Sequence, residues 1–181
     1  MNIIDAQREM RSAFLGGFAG QLVAGTIWAA SAAVSTWISP RPGMATLFFG
    51  CMLLFPLTQL LLRALGRPAR VGGGNSLTGL ARQIAFTVPL NFLLVGAATL
   101  YRQNWFYPAA MIAVGTHYLP FMFLYGMREF AVLAALLIGG GVALGLYIPG
   151  AFSLGGWAAA AALVAFALVG RSVALREEAH Y

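Results

Sequence analysis

The strongest constraint on this chain is the distance between its charges. From Gln103 to Met127, QNWFYPAAMIAVGTHYLPFMFLYGM, 25 residues pass between Arg102 and Arg128 without one formal charge. At about 1.5 Å per residue, a helix of that length crosses a hydrocarbon core of roughly 30 Å. The runs Ser12 to Pro40 and Phe130 to Gly170 are uncharged as well. Backbone in lipid must satisfy its own N–H and C=O groups, so each run reads as helix. The run from Gln103 also carries His117 near its middle. An imidazole at bilayer depth must be paired, lie in a wet cavity or stay neutral at some cost.

Apolar residues form 60% of the chain and charged residues 9%, against roughly 25% charged in an average soluble domain. This composition marks an integral membrane protein. Its 181 residues leave room for about six helical spans and no separate soluble domain. The expected fold is therefore all-α: one polytopic transmembrane bundle over residues 1–181. All eleven basic residues are arginine, and without lysine there is no Schiff-base attachment of retinal. The single cysteine, Cys51, allows neither an internal disulfide nor a thiolate cluster within one chain. The net charge of +6 sits at the ends of hydrophobic runs. Anionic lipid headgroups, near Arg63, Arg67, Arg70 and Arg82, are the expected neighbours, and nucleic acid is not.

Met1 to Arg11 reads as a short amphiphilic tail. Spans are expected at about 12–38, 44–64, 77–101, 105–126, 130–147 and 151–170. The first is longer than a bilayer needs, so tilt or a projecting last turn is expected. SPRPG, Ser39 to Gly43, reads as a turn because prolines and glycine do not continue a helix cheaply. The stretch from Arg63 to Arg82 reads as a flexible basic loop around GGGNS, a linker without the residues of a phosphate loop. Trp105 and Tyr107 are placed at the headgroup boundary, and the tail after Gly170 outside the bilayer. Six spans put both termini on one side, with nine arginines there and two, Arg41 and Arg102, on the other. The positive-inside rule makes the nine-arginine side cytoplasmic. A weak rhythm, proline in each outer turn (Pro42, Pro108, Pro149) and arginine at each hairpin end, fits either a repeated two-helix unit or any series of membrane hairpins.

Polar residues enter the membrane on four spans. Gln83, Thr87 and Asn91 stand at i, i+4 and i+8 with Pro89 among them. Gln21, Trp28 and Ser35 form a stripe on the first span, Thr58 and Gln59 stand beside Pro56, and Thr116, His117, Tyr118 and Tyr125 accompany Pro120. Such groups face protein or water, or serve only to join helices. The candidate binding set is Gln21, Gln59, Gln83, Thr87, Asn91, His117, Tyr118 and Tyr125, in a cavity among spans one to four, with the Ala/Gly-rich spans five and six outside or at a subunit contact. No acid lies inside a span, so carboxylate sodium sites and proton relays are not expected. The second histidine, His180, is in the tail, which disfavours bis-histidine haem. No cofactor, metal site or catalytic motif is found, and no enzyme is expected.

NWFYP, GTHYLPFMFLYGM and GNSLTGLARQIAFTVPL together resemble a family of bacterial six-span membrane proteins known only as a domain of unknown function. The resemblance covers roughly spans two to five. It implies a multi-pass protein of the bacterial inner membrane and assigns no activity or site residue. The residues themselves favour a small permease or channel-like protein for a neutral or weakly charged solute. The alternative is a structural or accessory subunit without a ligand, and a homo-oligomer is compatible with both.

Overall fold

The computed structural model describes residues 1–148 and 150–179, and among these every regular element is helical. The α-helices are α1 (Ile3–Phe14), α2 (Phe18–Trp37), α3 (Pro40–Ala64), α4 (Thr78–Tyr101), α5 (Phe106–Tyr125), α6 (Glu129–Tyr147) and α7 (Leu154–Glu178). Short 3₁₀ turns at Leu15–Gly17 and Gln103–Trp105 lead into α2 and α5. Pro149, the third proline of the rhythm, and His180 lie outside the described residues.

Three boundaries differ from expectation, each for a local reason. Met1 to Arg11 is not a loose tail: Asn2 caps α1 by accepting from the Asp5 N–H at 2.9 Å, and Ala6, Met10 and Ala13 form its buried face. The chain then kinks through three successive left-handed residues, Leu15 (φ 50), Gly16 (φ 61) and Gly17 (φ 85). The first long apolar helix therefore starts at Phe18, and the surplus length that suggested tilt is taken up by this kink. A Cβ on Gly16 would stand 2.6 Å from the Gly170 carbonyl oxygen. SPRPG is likewise not a turn. Ser39 is extended (φ −172) and Pro40 opens α3, where the missing N–H would have had no helical partner. Finally, α7 continues to Glu178, well past Gly170.

Helix α2 packs between α3 and α7, α5 packs between α4 and α6, and α6 meets α7. Glycines set the closest approaches. A Cβ on Gly25 would lie 2.7 Å from Val164 Cγ2, one on Gly115 2.7 Å from Ile138 Cγ1, and one on Gly141 2.7 Å from the Pro108 oxygen. Small residues at such crossings let dispersion and backbone contacts do what the hydrophobic effect cannot do between helices in lipid. This reverses the expected layering. Small side chains draw α6 and α7 inward, with 28% and 33% of their apolar windows buried, whereas α3 and α4 bury 11% each. Phe49, Met52 and Phe55 on α3, and Phe86, Leu93 and Leu94 on α4, project outward.

Five helices are long and apolar enough to cross a membrane, counting α1 and α2 as one, with α3, α4, α6 and α7. Helix α5 is not among them, because His117, three tyrosines and two prolines lower its hydropathy. Yet it is the most enclosed, with 11 of its 20 residues buried. The polar helix sits inside a wall of apolar ones.

Candidate functional site

The inward face of α4 is set by Ile84, Thr87, Asn91 and Val95, spaced three or four residues apart. It meets α5 at His117. Thr87 Oγ1 lies 2.8 Å from the Ile84 carbonyl oxygen and 2.8 Å from His117 Nδ1. The imidazole centroid is 5.0 Å from that of Phe121 and 5.7 Å from that of Tyr118. Below it Tyr118 and Tyr125 stack on Phe130 of α6, at 6.0 and 5.3 Å with interplanar angles near 20°.

The other predicted residues do not all converge there. Gln21 is buried, 3% exposed, in a crevice too tight for a water molecule, lined with Gly16, Met127, Glu129, Phe130, Phe166 and Gly170. Phe130 separates it from the two tyrosines. Gln59 is half-buried on α3, and Gln83 is exposed. The inward position expected for Gln83 belongs instead to Ile84, while Gln83 stays beside the exposed Arg82 at the helix end. Of the eight residues, Thr87 and His117 alone bond one another. Of the other six, Gln21 Oε1 is the one buried side-chain atom without a hydrogen-bond partner among the described residues. Buried polar groups are normally paired.

A second polar cluster went unread in the sequence. Tyr107, placed at the headgroup boundary, is 0% exposed. Its hydroxyl is 2.6 Å from Ser31 Oγ and 2.8 Å from Ser35 Oγ, and Ser31 also donates to the Gly43 carbonyl at 2.8 Å. The network ties α2, α3 and α5 together with its polar atoms mutually satisfied. Ser31 and Ser35 at i and i+4 were the available signal, hidden in an Ala/Ser-rich run.

At the arginine-rich end, α1 binds three elements at once. Arg11 donates to both oxygens of Glu177 at 2.6 Å and to the Tyr125 carbonyl, while Gln7 donates to the Phe123 carbonyl at 2.6 Å. These are end-of-helix carbonyls of α5, which otherwise lack partners. Glu9 accepts from the Gly72 N–H and from Asn75 Nδ2 at 2.8 Å; Asn75 also donates to the Ala6 carbonyl at 3.1 Å and accepts from the Leu77 N–H at 2.9 Å. The GGGNS segment is thus anchored by the buried Asn75, contrary to its reading as a plain linker. The Gly72 N–H, aided by Asn75, holds the Glu9 carboxyl below the usual carboxylate range, and Arg11 does the same for Glu177.

Among the described residues, no three His, Cys, Asp or Glu side chains come together as a metal site. Five long apolar helices among the described residues, each of a length and hydropathy that could cross a membrane, surround a more polar one. The chain belongs to a family of unknown function, DUF7010, whose profile matches residues 3–172. No curated protein and no solved structure matches it.

Proposed function

We propose that the protein is a small permease or channel-like protein of the bacterial inner membrane, passing a neutral or weakly charged small solute along the α4–α5 seam at His117. In this reading α2 to α7 are six spans and both termini are cytoplasmic. The nine arginines of that side, with exposed Arg63, Arg70 and Arg82 among them, contact anionic headgroups. The carrying observation is the Thr87–His117 pair at apolar depth where α4 meets α5, with the amide of Asn91 one turn along the same face of α4. Unpaired amides and hydroxyls in an apolar environment cost roughly 1–3 kcal/mol each. A polar solute or its accompanying water bonds to such groups. The test is stopped-flow shrinkage of liposomes carrying the purified protein, challenged with formamide, urea and glycerol. Permeation above that of empty liposomes, lost in His117→Phe with Asn91→Leu, is expected. Permeation equal to that of empty liposomes for all three solutes rejects the reading.

A second reading, an accessory subunit without a ligand, is favoured by the closed Ser31, Ser35 and Tyr107 network and the tight glycine crossings. These join helices and leave nothing for a solute. Stoichiometric co-purification of a membrane partner in mild detergent would support it.

A further inference from the structure

The hydrogen bonds around Thr87 fix more than the position of His117. Thr87 Oγ1 carries one proton and stands 2.8 Å from the Ile84 carbonyl oxygen, which can only accept. That proton is therefore committed to Ile84. The same oxygen is 2.8 Å from His117 Nδ1, and with its proton used it can only accept from the ring. Nδ1 must carry hydrogen, and in the neutral imidazole Nε2 is then a bare lone pair. The one described side chain that hydrogen-bonds the ring is Thr87, at Nδ1, and the one backbone group in contact with it is the Ile84 carbonyl.

From this we infer that His117 is held as the Nδ1–H tautomer and offers Nε2 as an acceptor, so that the solute of the seam is a neutral hydrogen-bond donor; the inference rests on the permease reading above. Two further features narrow the class. Helix α5 contains no charged residue, and α4 has none beyond Arg82 at its exposed end, so an ion at His117 would lack a counter-charge at bilayer depth. Metal cations are disfavoured because no group of three His, Cys, Asp or Glu side chains forms around the ring among the described residues. What remains is a small molecule with at least one N–H or O–H, its body against Phe121 and Tyr118. Asn91, one turn along the same face of α4, supplies a further amide. Thr87 is a positioning residue acting through the ring.

Histidine nitrogen-15 spectra of the protein in lipid nanodiscs test this, with His117→Gln used to assign the signals against His180. The resting spectrum should show a protonated Nδ1 and an unprotonated Nε2. Formamide should shift the Nε2 signal saturably. Dimethylformamide, the same carbonyl without an N–H, should bind about tenfold more weakly, the equivalent of one lost hydrogen bond. Thr87→Ser should keep the tautomer and Thr87→Val should admit the other; an unchanged tautomer in Thr87→Val removes the positioning role. A resting Nε2–H ring, or equal response to both amides, overturns the inference. If liposome flux persists in that case, the permease reading survives with a different ligand class. If instead Nε2 answers formamide but no solute crosses, the site stands and transport falls.

Discussion

Replacing Tyr107 by Phe removes one buried oxygen and almost nothing else. The ring keeps its contacts with Trp28 at 6.0 Å and Phe152 at 5.2 Å, so the change isolates the two bonds to Ser31 and Ser35. Ser31 retains the Gly43 carbonyl as acceptor, whereas Ser35 loses its partner. Hydrogen bonds between membrane helices average about 0.6 kcal/mol and reach about 1.7. Two of them give about 1.2 kcal/mol, with an upper bound near 3.4, equivalent at the lower figure to about eightfold in the folding equilibrium. Reversible unfolding in bicelles, by steric trapping or SDS titration, measures this directly. The double variant Ser31→Ala with Ser35→Ala should cost a similar amount. Combined with Tyr107→Phe it should cost clearly less than the two effects added, because the same bonds are removed twice. A Tyr107→Phe effect below about 0.3 kcal/mol, or full additivity, would refute the claim that this network joins α2 to α5.

Other predictions concern the crossings and the inner end. Gly43→Ala would drive a Cβ onto Ser35 Oγ and to 2.9 Å from the Ser31 oxygen, and should cost about 2 kcal/mol or more. Gly96→Ala, facing open space in mid-α4, should be neutral or stabilising by up to about 1 kcal/mol in the same assay. Glu9 and Glu177 both have carboxyl pKa values lowered from 4.5, so their contribution to α1 docking is complete above the unfolded pKa and is lost as pH falls through the folded one. Spin-label distances between Ile4→Cys and Ala179→Cys, in a Cys51→Ala background, should be unchanged from pH 7 down to about 5 and lengthen only below it. Asn75→Ala should free the glycine loop and speed tryptic cleavage after the exposed Arg70; an unchanged rate would show that the loop is held by something else.

How much of this was legible depends on how far each residue's role is local. Charge-free runs located α3, α4, α5 and α6 to within a few residues, because lipid imposes one solution on a long apolar backbone. The pairing of Thr87 with His117 joins two stretches singled out for polar residues at apolar depth. Ser39 to Gly43 misled because Pro40 is costly within a helix but costless at its start. The layering is hidden because polarity alone does not mark the interior of an apolar bundle. In lipid the small residues of α6 and α7 are what bring backbones together, and large apolar side chains belong outside. Tyr107, Asn75 and the pairing of Arg11 with Glu177 had no signature in local pattern, since their partners on other elements lie 66 or more residues away in the chain.

The enclosure of α5 bears on how the protein is made. A helix holding an imidazole, three tyrosines and two prolines partitions poorly from the translocon into lipid by itself. It gains a favourable surrounding only once α4 and α6 flank it, so its insertion is tied to that of its neighbours. Damage at the Gly115 or Gly141 crossings would then show itself during synthesis, as chains with this segment on the wrong side of the membrane and marked for degradation.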